Sequence, residues 1–305
     1  MRILAAFDKC KGSLSAEEMC ALVSERLKMH TDTSVRSLPQ TDGGEGFVSI
    51  LTEAKGGEIR TLEASDSLGR KRLVQIGLIE SKNLSKEVTD LLHLPVIGKV
   101  ALVEMASIVG LADLNNEERT PWKTSTVGVG ECLLECRKYG VSAILLGIGG
   151  SSTNDMGLGA LSSLGLQFLD ENSKIIDFPS PETWDSIHSV DSSALLSLPP
   201  LRIACDVTNP LLGSNGATSQ FGPQKGLCSE EVEKMEAGMT EMAHLMEQKL
   251  RVEKGTKGLP GMGAAGGIAF GLSLTYDVSL ISGFSLVSKW FELEREIGES
   301  DLILT

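Results

Sequence analysis

The chain has 305 residues, a formal net charge of −13, 41% hydrophobic residues and 4% aromatic residues. The length favours two domains, and the hydrophobic content is sufficient for packed cores. The negative charge and the scarcity of aromatic side chains argue against nucleic-acid partners and against binding to anionic membranes.

The first 55 residues alternate between strand and helix patterns. The predicted elements are a strand at 1–7, a helix from 16 to about 29, a strand at 35–39 and a helix at 47–54. Ser15 precedes the first helix as its N-cap, and Glu18 is its expected capping-box partner. This order predicts an α/β fold with a doubly wound parallel sheet.

The pattern changes from about residue 57. The further predicted strands lie at 58–63, 71–79, 100–105, 141–146, 202–207 and 300–305. The further predicted helices lie at 122–139, around 161–164 and at 229–252. The chain ends inside the last predicted strand, which we interpret as a C-terminal truncation.

The cysteine pattern favours a reducing compartment. The six cysteines form no Cys-x-x-Cys pair, and the four histidines are not spaced as zinc ligands. The N-terminus begins as a strand rather than a signal peptide, and no apolar run is long enough for a membrane span. We therefore expect a cytoplasmic protein with reduced thiols and no membrane partner.

The segment 147–160 carries the strongest functional pattern, because it places glycines, hydroxyls, the carboxamide of Asn154 and the carboxylate of Asp155 between a buried strand and a helix. Glycines let the backbone approach a ligand closely, and N–H groups at a helix start attract anions. The alternative is that Asn154 or Asp155 merely caps the helix, which would explain one polar residue but not the run. The predicted ligand-binding residues are Gly149, Gly150, Ser151, Ser152 and Asn154, with a phosphate cradle in the glycine turn and a metal or hydroxyl ligand beside it at Asn154 and Asp155.

A polar turn with two lysines follows the first strand. Asp8, Lys9, Lys11 and Ser13 lie there, and ligands of open α/β sheets bind outside the carboxyl ends of strands. These side chains could orient a small acid and its phosphate donor. A solvated surface turn is the alternative.

A second glycine turn follows the second strand. Asp42 and Glu45 flank Gly43 and Gly44, and carboxylate oxygens are ligands that Mg²⁺ prefers. Asp42 and Glu45 are therefore the predicted metal ligands. An ordinary Asp-Gly turn is the alternative.

Two further charged residues are candidates for the site. Asp206 stands where a buried strand ends, and Lys225 lies in a glycine-flanked turn where it could approach a phosphate. A helix cap and a tight turn are the alternatives. The segment 261–266 matches G-x-G-x-x-G formally, but no strand directly precedes it, so we reject a dinucleotide site there.

Taken together, these segments resemble the bacterial type I glycerate kinase family. The resemblance rests on residues 7–15, 42–46, 124–131, 147–160, 205–213, 221–226 and 260–267, which occur in the family's order. In the first segment the family usually has Ser-Phe or Lys-Phe where this chain has Lys9-Cys10. Like this chain, the family lacks the GxxxxGK[ST] phosphate-binding sequence.

The resemblance implies ATP-dependent phosphorylation of D-glycerate with Mg²⁺, with 2-phosphoglycerate favoured over 3-phosphoglycerate. It also implies a Rossmann- or flavodoxin-like domain, formed by 1–60 and about 280–305, and a second α/β domain inserted at about 61–279. The active site is expected in the cleft between the two. Family members continue past residue 305 with a Gly-Glu-Gly loop and further strands and helices. A homodimer is the candidate assembly.

The hypothesis for catalysis assigns roles on this basis. Asp42 and Glu45, with Asp206, would hold Mg²⁺, and Lys11 and Lys225 would neutralise phosphate oxygens or the glycerate carboxylate. Asp8 or Asp155 would accept the hydroxyl proton. The alternatives are a non-catalytic truncated homologue that binds a small acid or a partner, and a dehydrogenase using 261–266.

Overall fold

The structure is a computed structural model that describes residues 1–10, 12–27, 29, 33–250 and 256–305. The strands are β1 Arg2–Ala5, β2 Ser34–Ser37, β3 Glu58–Ser65, β4 Lys71–Glu80, β5 Lys99–Glu104, β6 Ala143–Gly147, β7 Gln167–Leu169, β8 Ser189–Asp191, β9 Leu201–Ala204, β10 Val278–Ile281 and β11 Leu302–Leu304. The α-helices are α1 Ala16–Leu27, α2 Phe47–Ala54, α3 Lys86–Leu91, α4 Met105–Val109, α5 Val127–Lys138, α6 Leu158–Ser163, α7 Ala217–Phe221, α8 Ser229–Leu250, α9 Ile268–Ser273, α10 Gly283–Phe291 and α11 Leu293–Gly298.

Two sheets organise the described residues. A three-stranded parallel sheet has the order β11-β1-β2. A six-stranded sheet has the order β10-β9-β6-β5-β4-β3 and is parallel from β10 to β5, with β4 and β3 antiparallel at one edge. A small antiparallel pair, β7-β8, lies apart from both. The predicted α/β class with parallel sheets is confirmed.

Helices cover both faces of the six-stranded sheet. One face packs on α5, α6, α8 and α9 in a large apolar core. The other face packs on α2, α3 and α10, and this second core also contains Leu4 of β1 and Leu38 after β2. Trp290 of α10 donates from Nε1 to the carbonyl of Leu51 in α2 at 3.0 Å. The second core therefore joins the small sheet to the large one.

The predicted boundary near residue 60 lies inside β3, and α2 packs on the six-stranded sheet. The two-domain division stays a prediction.

Local sequence signals place the first helices correctly. Ser15 Oγ accepts from the N–H of Glu18 at 3.1 Å, and Glu18 Oε2 accepts from the N–H of Ser15 at 2.7 Å. The predicted capping box is therefore confirmed, and α2 has the predicted bounds. The predicted end of the first helix and the last residues of the helix predicted at 229–252 include positions outside the described residues.

The prediction of a helix from residue 122 is wrong, because α5 begins at Val127. Residues 124–126 form a loop held by tertiary hydrogen bonds. The N–H of Ser125 donates to the carbonyl of Ser67, and Thr126 donates from both its N–H and its Oγ1 to Asp155. These bonds replace the intrahelical ones that a helix starting at residue 122 would make.

Within the described residues, no helix combines the length and the apolar character needed to cross a bilayer.

Candidate active site

A cavity of about 480 Å³ lies at the carboxyl ends of β1, β2, β6 and β9. Ligands of open α/β sheets bind outside these strand ends, where loops supply the binding groups. Its lining residues are Lys9, Gly12, Asp42, Gly44, Glu45, Leu111, Ala112, Arg119, Ile148, Gly149, Gly150, Ser151, Ala204, Cys205, Asp206, Val207, Phe221, Gln224, Lys225, Ala264 and Ala265. The cavity therefore joins loops of the small sheet to loops of the large one.

Glycines allow the two turns of the cavity to interlock. The N–H of Gly149 donates to the carbonyl of Gly43 at 2.9 Å. A Cβ on Gly149 would lie 2.8 Å from the backbone of Gly44, and one on Gly147 would lie 2.6 Å from the Gly43 carbonyl oxygen. These glycines are required by backbone packing, since contacts below 3 Å exclude a side chain. The Gly149 N–H is consequently not free to bind a phosphate.

Gly150 and Ser151 are better placed than Gly149 to bind an anion. Gly150 has a φ of +70°, a left-handed conformation that favours glycine. Within the described residues, no carbonyl accepts from the N–H of either Gly150 or Ser151. Both residues line the cavity.

The structure brings many of the predicted site residues to this cavity. They are Asp42, Gly44, Glu45, Gly149, Gly150, Ser151, Asp206 and Lys225. Other predicted residues are not among its lining residues: Asp8, Ser13, Gly43, Ser152, Asn154 and Asp155. Lys11 lies outside the described residues.

Asp155 is fully buried and is used by the backbone around it. Its carboxylate accepts from the N–H and Oγ1 of Thr126, both at 2.8 Å, and from the N–H groups of Gly157 and Gly159, both at 3.1 Å. Burial raises the pKa of the Asp155 carboxyl, although these donors oppose the rise. This geometry gives Asp155 the task of fixing the starts of α5 and α6, rather than contact with a ligand in the cavity.

The neighbours of Asp155 are also buried. Ser152 Oγ donates to the carbonyl of Val109 at 2.8 Å. Asn154 Nδ2 donates to Thr218 Oγ1 at 3.1 Å, and its Oδ1 has no hydrogen-bond partner among the described residues. These side chains therefore shape the wall behind the cavity.

Lys225 reaches the cavity from the buried side. It is only 2% exposed, and its Nζ donates to the carbonyl of Thr153 at 2.6 Å and to Ser151 Oγ at 3.3 Å. Burial lowers the pKa of Lys225 to about 7, although the charge of Asp155 opposes this shift. Lys225 is thus a buried amine whose hydrogen-bond acceptors are neutral oxygens.

Lys9 and Asp42 form an ion pair at the cavity. Lys9 Nζ lies 3.1 Å from Asp42 Oδ1 and 3.7 Å from Asp8 Oδ1. Burial is the largest single influence and would raise the pKa of Asp42 and lower that of Lys9. The charge attraction and hydrogen bonds of the pair, with those of Asp8, Glu45 and the Gly44 N–H, together outweigh it, so the pKa of Asp42 falls and that of Lys9 rises. Both groups are therefore charged at neutral pH.

The carboxylate of Asp206 is hydrogen-bonded to the start of α10. Its Oδ1 accepts from Ser282 Oγ at 2.8 Å, and its Oδ2 accepts from the N–H of Phe284 at 2.9 Å. The helix-cap alternative is therefore realised, although Asp206 also lines the cavity.

Comparison with known proteins identifies the family. The sequence model described as the Glycerate kinase family matches residues 3–305. This chain belongs to the glycerate kinase family.

Individual glycerate kinases are similar over nearly all of this chain. The chain is 34% identical to the protein named glycerate 2-kinase of Escherichia coli (strain K12), with 100% of this chain and 76% of that protein covered. It is 35% identical to the glycerate kinase of Haemophilus influenzae, with 100% and 77% covered. A crystal structure named for glycerate kinase 2 from Salmonella typhimurium LT2 has a TM-score of 0.77 and 34% identity, covering 99% of this chain and 78% of that one.

Membership of a kinase family raises the question of a magnesium site. Among the described residues, no three His, Cys, Asp or Glu side chains form a group that could hold a metal ion. Proteins often bind Mg²⁺ through only one or two carboxylates, however, with substrate phosphates and water completing the shell. Asp42 and Glu45 line the cavity with exposed carboxylates, and Asp42 Oδ2 has no hydrogen-bond partner among the described residues. This donor set fits a nucleotide-carried Mg²⁺.

Sequence reasoning on this glycerate kinase family member omitted some cavity residues from the candidate site. Gln224 lies in the resemblance segment 221–226 without an assigned role, Lys9 was proposed only together with its whole turn, and Arg119 lies in none of the resemblance segments. Arg119 follows the polar run 115–118, whose composition is typical of any surface loop. Only the folded arrangement places it beside Lys225.

Proposed function

We propose that this protein transfers the γ-phosphoryl group of ATP to D-glycerate in this cavity, with Mg²⁺ as cofactor. The observation that carries the proposal is that the Gly149–Ser151 turn, Asp42 and Lys225 line one cavity in a chain of the glycerate kinase family. We favour 2-phosphoglycerate as product, because a relative that is 34% identical over the whole of this chain is named glycerate 2-kinase.

The reaction is a displacement at phosphorus. A glycerate hydroxyl oxygen forms a bond to the γ-phosphorus, the bond to the bridging oxygen of ADP breaks, and the hydroxyl proton leaves. Such transfers depend mainly on positioning and on neutralising charge, because the protein forms no covalent bond.

The residues of the cavity suit these tasks. The N–H groups of Gly150 and Ser151 would donate to phosphate oxygens, as backbone N–H groups do in other anion sites. Lys225 would neutralise an anionic group of a substrate. Asp42 and Glu45 would hold the Mg²⁺, which supplies charge neutralisation on the phosphates when it is bound.

A carboxylate near the cavity would accept the hydroxyl proton. Asp8 is 45% exposed and lies beside Lys9, so it remains the candidate. Asp155 is enclosed by four hydrogen-bond donors, so we assign it a positioning role. Lys11 remains a candidate cation on sequence grounds alone.

Glycerate-dependent formation of ADP tests this proposal. The purified protein would be mixed with D-glycerate, ATP and Mg²⁺ in a coupled ADP assay, and phosphorus NMR would identify the product. We expect ADP and 2-phosphoglycerate in equal amounts, and no ADP without glycerate. A folded protein that binds glycerate but forms no ADP would contradict the proposal and support the non-catalytic alternative.

A further inference from the structure

Two cationic side chains line the same wall of the cavity. Arg119 and Lys225 both line it, and they come from different loops. A Cβ placed on Gly226 would lie 1.8 Å from the carbonyl oxygen of Arg119 and 3.3 Å from the Arg119 Cβ. The backbone directly after Lys225 is therefore packed on the backbone of Arg119.

Neither cation has a carboxylate partner among the described residues. Arg119 Nε donates to the carbonyl of Leu114 at 3.2 Å, and no ion pair of Arg119 occurs there. Lys225 donates only to the neutral oxygens of Ser151 and Thr153. Unpaired cations beside a cavity in a chain of net charge −13 indicate a site for an anion.

The carboxylates of the cavity come from other loops. Asp42 and Glu45 follow β2, and Asp206 follows β9. Lys9, which comes from the loop after β1, is already paired with Asp42. The charges of the lining are thus segregated, because its carboxylates lie on other loops than Arg119 and Lys225. The carboxylate of Asp155, which is not a lining residue, attracts Lys225 without an ion pair.

We propose that Arg119 and Lys225 bind the carboxylate of the acceptor acid, so that Arg119 is a specificity-determining residue. This inference rests on the proposed function, since it divides the cavity between the two substrates. The nucleotide phosphates then occupy the turn at Gly150 and Ser151, beside Asp42 and Glu45.

The guanidinium geometry favours a carboxylate. With Nε held by Leu114, the two Nη groups of Arg119 remain as a planar fork, which matches the two oxygens of a carboxylate. Leu111 and Ala112 precede Arg119 in the same connection, and Phe221 ends the helix before Lys225. These apolar residues suit the short carbon chain of a small hydroxy acid.

The test compares Arg119→Gln with the control Lys123→Gln. Lys123 is an exposed cation four residues later that does not line the cavity. For Arg119→Gln we expect the KM for D-glycerate to rise on the order of 10- to 100-fold, the range for losing a charge-assisted hydrogen-bonded pair. The KM for ATP is expected to change less than about threefold, and the control to resemble the wild type.

A second readout separates recognition from a structural role. Glycerol lacks the carboxylate, so the ratio of kcat/KM for D-glycerate to that for glycerol should fall in Arg119→Gln. Arg119→Lys keeps the charge without the fork and should give an intermediate KM for D-glycerate. This variant also serves if Arg119→Gln does not fold.

Calorimetric binding of D-glycerate and of ADP, measured separately, removes the dependence on turnover. Weaker D-glycerate binding with unchanged ADP binding supports the inference even if the protein is not a kinase. Weaker ADP binding alone would assign the cations to phosphate and overturn it. Equal loss of both ligands, or loss of neither, would also overturn it.

Discussion

The N–H of Gly149 donates a 2.9 Å hydrogen bond to the carbonyl of Gly43, which joins the loop after β6 to the loop after β2. The two loops belong to different sheets, and both line the cavity through neighbouring residues. The cavity therefore depends on backbone contact between glycines, in addition to the side chains that face a ligand.

Gly149→Ala should disrupt this contact. Its Cβ would lie 2.8 Å from the N and Cα of Gly44, which are backbone atoms that cannot rotate away. Overpacking of this kind typically costs about 1–3 kcal/mol, and the cavity loops should separate. Urea unfolding and nucleotide binding would measure both effects.

Gly298→Ala is the matched control for that substitution. A Cβ at Gly298 meets no atom within 4 Å, so stability should be unchanged or slightly higher. If Gly149→Ala were as stable and bound nucleotide as well as Gly298→Ala, the interlocked loops would not matter to the site.

Asp155→Asn should destabilise the fold. Four donors now point at the two carboxylate oxygens of Asp155. In the variant one of these oxygens becomes an NH₂ group, which cannot accept from the donors that face it. Leaving buried donors unpaired costs about 1–3 kcal/mol in unfolding free energy. Asp113→Asn removes a carboxylate from an exposed ion pair with Arg72 and should cost less than about 1 kcal/mol. Equal effects of the two substitutions in urea unfolding would contradict the positioning role of Asp155.

Stability near Lys225 should depend on pH. Burial lowers the pKa of Lys225 to about 7 from its usual 10.5, so the unfolded chain binds more protons between these values. The contribution of this lysine to stability therefore rises with pH across that window. Lys225→Met does not titrate, so its Tm minus that of the wild type should be largest near pH 7 and should decrease toward pH 10. A constant Tm difference would contradict the buried, unpaired state of this ammonium.

Glu104 should give the opposite trend in a lower pH range. This carboxyl group lies at the start of α2, and Oε2 accepts from the N–H of Val48 at 3.1 Å. Burial raises the pKa of Glu104 to about 7 from 4.5, although the N–H groups of Val48, Gly46 and Phe47 oppose the shift.

Between pH 4.5 and about 7 the folded state binds more protons at Glu104, so stability from this group is lost as the pH rises. The Tm of Glu104→Gln should therefore increase relative to that of the wild type as the pH rises through this window. Above the window, thermal melts should show a constant difference between the two. A relative gain as the pH falls would refute the assignment.

The sequence allowed much of the fold to be predicted where local signals decide it. The capping box of Ser15 and Glu18 and the bounds of α2 follow from neighbouring residues, and both are confirmed. The start of α5 at Val127 could not be predicted from neighbouring residues. Thr126 is bonded to Asp155, a residue 29 positions away, and no periodicity reports such a contact.

The candidate site was predictable to a similar extent. Glycine turns after strands located the cavity loops, because parallel strands bring their carboxyl ends to one edge. The separate functions of neighbouring residues did not follow, since Ser151 faces the cavity while Ser152 bonds the carbonyl of Val109 behind it. Arg119 lines the cavity with its backbone packed on Gly226, a contact between residues more than 100 positions apart that no local pattern indicates.

Glycerate-dependent ADP formation by Lys225→Met and Lys123→Met, measured beside the wild type, tests most directly whether this cavity performs the phosphoryl transfer. Both variants lose one lysine, but only Lys225 lines the cavity. We predict that Lys225→Met, shown to be folded by circular dichroism, loses on the order of 100-fold in kcat/KM, while Lys123→Met keeps wild-type activity. Turnover by folded Lys225→Met equal to that of the wild type would contradict the assignment of phosphoryl transfer to this cavity.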